Sequence, residues 1–66
     1  MFSIGDKVTY YTEYGIEQGI VKSVSTDNNY FVVFKCGGDW NNYKDYTGVR
    51  TNSRDLTLGW LEENNG

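Results

Sequence analysis

The sequence predicts an all-β domain, a small five-stranded barrel with a 3₁₀ turn before its last strand. Three observations carry this. Short segments of alternating apolar and polar residues recur between clusters of Gly, Asn, Asp and Ser. The run Tyr30–Cys36, YFVVFKC, is almost wholly β-branched and aromatic. The chain contains no proline, and none of its segments shows the apolar spacing of an amphipathic helix. Sixty-six residues make one domain. It is expected to occupy residues 1–61, with 62–66 as a frayed C-terminal tail.

The first strand is expected over Asp6–Tyr11, where Val8 and Tyr10 alternate with Lys7 and Thr9 after a Gly5-Asp6 turn. Thr12-Glu13-Tyr14-Gly15 closes a turn in which Gly15 supplies a positive φ. The second strand is expected over Ile16–Ser25. Gly19 inside it marks a bend or a close approach of another group. For Val21 and Val24 both to face inward, one extra residue must stand between them, so a β-bulge is predicted near Lys22-Ser23. Thr26–Asn29 is a tight turn of residues that tolerate left-handed backbone. In the third strand, Tyr30–Cys36, Tyr30, Val32 and Phe34 share one face while Phe31 and Val33 share the other. Two apolar faces imply a central strand or one whose outer side is covered. Gly37–Thr47, GGDWNNYKDYT, is a long connection. A short fourth strand, Gly48–Thr51, then leads into NSRDL. There Asn52 or Ser53 caps one 3₁₀ turn and Leu56 points inward. The last strand is expected from Thr57 to Trp60 or Leu61.

A chain of this length buries only about 60% of its unfolded surface, and the usual reinforcements of small folds are missing. One cysteine, Cys36, forms no intrachain disulfide, and the lack of histidine removes zinc-finger spacings. Six Tyr, three Phe and two Trp supply the bulk instead, each ring burying on the order of 150–250 Å². The net charge is −3 and the pI about 4.6. This opposes sequence-blind binding to nucleic acid, which runs on cationic contacts to phosphate. The N-terminal residues show no signal-peptide pattern and no stretch has membrane-spanning length, so a soluble, cytoplasmic protein is expected, with no membrane partner.

Gly5-Asp6-x-Val8, then Gly19-x-Val21-x-x-Val24, then a strand carrying Val32 and ending near Phe34, then a 3₁₀ turn at Leu56 follow one another in order. This pattern resembles the SH3-like small barrels of the Tudor and KOW type, over residues from Gly5 to about Trp60. The resemblance implies a five-stranded barrel whose first loop and third-to-fourth loop lie at the same end. It implies no single ligand, because this barrel serves many. Gly37–Thr47 departs from it, being longer than the usual hairpin. The whole also resembles small standalone proteins of phages and gut bacteria, a likeness that implies no activity.

Candidate site residues follow. Trp40, Tyr43 and Tyr46 recur every third residue, which in a 3₁₀ or α turn gathers the rings on one side. Long loops in compact domains are often functional, so these rings are read as a protein- or peptide-binding surface. The competing reading is that the loop folds back and the rings cap the core. Tyr11 and Tyr14 are candidate additions to that surface. With Trp40 or Tyr43, and Asp39 or Asp45 as counter-charge, they have the ingredients of a cation–π cage. Packing on the sheet surface is the plainer fate. Lys22, Lys35, Arg50 and Arg54 are candidate nucleic-acid contacts, if they share an outer face beside the rings. A third alternative is an acidic inhibitor that occupies the nucleic-acid site of another protein. Cys36 lacks a histidine base and reads as a small buried hydrophobe at a strand end, beside a Gly-Gly turn. No catalytic residue, cofactor or metal is expected, and open strand edges make a homodimer an expected alternative to the monomer.

Overall fold

Alternating residues in an extended chain point to opposite sides, so each apolar/polar alternation becomes a strand with one face for the core. The computed structural model describes residues 1–61 and shows five of them: β1 (Lys7–Thr12), β2 (Gly15–Val24), β3 (Asn29–Val33), β4 (Val49–Asn52) and β5 (Leu56–Leu58). They form one antiparallel sheet in the order β4-β3-β2-β1-β5. The expected 62–66 tail lies outside the described residues. No described helix is long and apolar enough to cross a membrane.

β4 and β5 are the edges of the sheet, and among the described residues no ladder joins them. Of the expected closed barrel, the structure shows the five antiparallel strands in an open sheet. A 3₁₀ turn, Ser53–Asp55, carries the chain from one edge to the other. Of the two expected caps, Asn52 rather than Ser53 serves, accepting the Arg54 backbone N–H at 3.0 Å. The Ser53 N–H also donates to the Asn28 carbonyl at 2.7 Å, tying this turn to the β2–β3 hairpin.

The bulge lies where the valine spacing demands it. Val21 pairs with Val32, but the next pairs are Ser23–Phe31 and Val24–Tyr30, leaving Lys22 as the extra residue. Val21 and Val24 therefore share a face, although only Val21 is buried there and Val24, at the strand end, is 55% exposed. That inner face holds the buried Val8, Val21, Tyr30, Val32 and Leu56, with Phe2, Tyr10 and Phe34 packed against them. The rings meet in pairs, Phe2 edge-on to Tyr30 and Tyr10 tilted on Phe34, both at 5.3 Å between centroids.

The outer face is also covered. Lys7, Ile20 and Val33 form one cross-strand row, and Ile20 and Val33 are buried. A second 3₁₀ element, Trp40–Asp45, packs over β2. β3 is thus both central and covered, which accounts for its two apolar faces. Two expected strands are shorter than their sequences suggest. β3 stops at Val33 rather than Cys36 because the chain leaves the ladder for this loop, and Cys36 is buried outside any strand. β5 stops at Leu58 because Gly59, at φ +92°, turns the chain across the outer face. Buried Thr9 secures that turn, donating to the Gly59 carbonyl at 2.7 Å and accepting the Leu61 N–H at 2.9 Å.

Candidate functional site

The long connection is a braced element lying on the sheet. Gly37 and Gly38 enter it at φ +62° and +85°, a backbone that favours glycine. The Asp39 carboxylate accepts from the Asn42 amide at 2.9 Å and from the Tyr46 phenol at 3.0 Å. These bonds stitch the loop to itself. That donation to a carboxylate favours the neutral phenol and raises the Tyr46 pKa above the usual tyrosine value.

The loop is then pinned to the sheet at two points. Lys22, turned out by the bulge, donates its ammonium to the Tyr46 carbonyl at 2.6 Å. Trp40 rests on Trp60 with centroids 4.9 Å apart and planes tilted by 50°. Trp60 is held by its indole N–H, which donates to the Gly19 carbonyl at 2.8 Å. Lys7 lies over the Trp60 ring at 4.6 Å, within cation–π range. Trp60 and Lys7 were not among the sequence candidates. The signal that points to them is a second tryptophan just after a glycine near the strand end, but spacing alone does not say which ring it meets.

Trp40 stands as the wall between two open clefts. One, of about 450 Å³, is lined by Ile16, Glu17, Gln18, Phe34, Lys35, Trp40 and Leu61. The other, of about 480 Å³, is lined by Lys7, Ile20, Gly38, Trp40, Asn41, Tyr43 and Trp60. Trp40 and Tyr43 therefore share a surface, as their spacing predicts. Tyr46 lines neither cleft and braces the loop instead. All three rings are half-buried, and Trp40 packs on Trp60 rather than on the inner cluster.

The structure places the other candidates as follows. Tyr11 is 47% exposed and Tyr14, in the β1–β2 turn, 92% exposed. Neither enters a ring pair with Trp40 or Tyr43 among the described residues. Tyr11 pairs across the ladder with Ile16, which lines the first cleft. Of the four candidate nucleic-acid cations, Lys22 is engaged with Tyr46 and Arg50 donates to the Thr26 hydroxyl at 3.2 Å. Lys35 lines the first cleft, and Arg54 is exposed within the Ser53–Asp55 turn. Among the described residues no group of three His, Cys, Asp or Glu is placed to hold a metal ion.

The Lys22 pin makes a prediction. Lys22→Met is expected to cost about 1.5 kcal/mol, the lower end of the range for a hydrogen bond to a charged group because this one is half-buried. It is also expected to speed amide exchange over residues 39–46 while leaving β1 and β2 protected. Hydrogen exchange by mass spectrometry or NMR reads both effects. Unchanged exchange in the loop would mean that Lys22 does not hold it.

Comparisons of the chain with protein-family models, with curated proteins and with solved structures found no match.

Proposed function

We propose that this chain is a non-enzymatic binding module for a protein or peptide, built on an SH3-like sheet, and that its contact surface is the groove on either side of Trp40. The observation that carries the reading is the position of that indole. It is wedged against Trp60 on the sheet, yet contributes to two neighbouring clefts. A rigid, half-buried ring between apolar concavities is the kind of anchor around which binding energy concentrates. Ile16, Phe34 and Leu61 extend the apolar surface on one side. Exposed Tyr11 and Tyr14 lie beyond Ile16 on the first hairpin and are taken as its outer rim.

The nucleic-acid alternative is less well supported by the geometry. Lys22 donates to the Tyr46 carbonyl, exposed Arg50 gives one of its N–H donors to the Thr26 hydroxyl, and Lys35 lines the first cleft without Arg54. An acidic inhibitor of a nucleic-acid site would use the same surface residues differently, presenting carboxylates rather than rings.

The test is a peptide library displayed against the immobilised protein. Enriched peptides are then titrated into isotope-labelled protein. Binders are expected to shift the amides of Glu17, Gln18, Lys35 and Trp40. Tyr14→Ser, at a ring 92% exposed, is expected to weaken them without lowering thermal stability. Shifts confined to other surfaces, or no enrichment over a scrambled library, would remove the reading.

A further inference from the structure

We infer that the groove selects an acidic partner, an extended peptide that places an aliphatic side chain in the Ile16–Phe34–Leu61 cleft and a carboxylate at Lys7 in the cleft beyond Trp40. This rests on the binding reading above and names the chemistry of its partner.

The two clefts differ in charge. The first contains Glu17 and Lys35, which offset one another, so its character is set by Ile16, Phe34, Trp40 and Leu61. Among the described residues, the ionisable groups lining the second are Lys7 and the phenol of Tyr43. Lys7 has no carboxylate partner among the described residues, and its ammonium rests on the Trp60 ring. Two described carboxylates, Asp6 beside it in the chain and Asp39 in the loop, accept hydrogen bonds from other groups: Asp6 from the Ser3 N–H at 2.8 Å, and Asp39 from Asn42 and Tyr46. Lys44, which does not line this cleft, lies 6.0 Å from the Tyr43 ring centroid.

An ammonium lying on an indole keeps its outward donors for an anion, and the ring fixes where that anion must sit. The chain's net charge of −3 does not cancel this. At physiological ionic strength charges act over about 8 Å, so the local cation governs the local contact.

The probes are capped peptides containing one leucine followed, one to four residues later, by Glu, Gln or Lys. Affinity is read by NMR titration of the whole protein. At the best spacing the Glu peptide is expected to bind about three- to fivefold tighter than its Gln twin, the range of a surface charge pair. Lys7→Gln should erase that preference and Lys7→Arg should keep it, with thermal melts confirming that both variants fold. Equal binding of the three peptides, a preference for Lys, or a Glu preference surviving in Lys7→Gln overturns this inference and leaves the groove reading standing. No shift at the groove with any peptide overturns both. Tighter binding of an oligothymidylate than of the Glu peptide at the same amides overturns the acidic-peptide assignment.

Discussion

Trp60→Ala is expected to lower stability by about 3 kcal/mol, near the bottom of the range for removing a large aromatic because this one is half-buried. Three links go at once: the contact with Trp40 at 4.9 Å, the indole bond to the Gly19 carbonyl at 2.8 Å, and the Lys7 contact at 4.6 Å. A single core in a chain this small supplies only about 3–5 kcal/mol, so a sizeable unfolded fraction is expected at 37 °C. With about 4–8 °C of melting temperature per kcal/mol in domains of this size, the midpoint should fall by more than about 10 °C. Circular dichroism melts measure this directly. Trp60→Phe separates the links: it keeps a ring against Trp40 but loses the indole donor, and should cost about 1 kcal/mol. A midpoint for Trp60→Ala within a few degrees of the parent would show that the outer layer adds little and that the loop stands on its own bonds.

That outer layer is the part of the molecule that sequence reasoning reads least well. Period-two alternation tells which residues of one strand share a face, Val8 with Tyr10 and Tyr30 with Val32 and Phe34, and the structure brings these sets together on the inner side. Valine spacing is enough to find the bulge, because inward residues three apart require an extra one between them. Sequence narrows the cap to Asn52 or Ser53, and the structure shows it to be Asn52. What covers a face is a different matter, since it depends on pairs far apart in the chain. Trp40 meets Trp60 only because Gly59 adopts a positive φ and Thr9 holds the turned chain. Read locally, Thr57–Leu61 continues as a strand, and nothing in five residues reveals the reversal. The role of Lys22 is hidden for the same reason: a bulge can be inferred, but not that it aims the ammonium at the Tyr46 carbonyl. The even spacing of Trp40, Tyr43 and Tyr46 was likewise only partly informative. The 3₁₀ element is kinked at Asn42, and Tyr46, one residue beyond it, turns back to Asp39. Ladder closure is also not a local property. Five strands are legible as five strands, whereas the pairing of β4 with β5 depends on how far the sheet curls.

Gly19→Ala is expected to cost about 1–3 kcal/mol by overpacking, although alanine is the smallest possible addition. Gly19 is buried opposite Val8 in the β1–β2 ladder. A Cβ there would sit 2.6 Å from Val32 Cγ1, 2.9 Å from Phe34 Cδ1 and 3.0 Å from Phe34 Cε1. Val32 is wholly buried at the centre of the inner cluster, and Phe34 is stacked on Tyr10, so neither withdraws freely. The strand must shift instead, and the carbonyl that holds Trp60 shifts with it. One methyl group thereby disturbs both faces of the sheet. The glycine that reads in sequence as a bend or a close approach is the second of these. The decisive measurement is a double-mutant cycle. Val32→Ala alone leaves a cavity and destabilises, but it removes the atom nearest the new methyl group. The pair Gly19→Ala/Val32→Ala should therefore be more stable than the sum of the single changes by about 1 kcal/mol or more. Free energies from urea unfolding that add to within about 0.3–0.5 kcal/mol, the range of independent sites, would show that the methyl group does not press on Val32.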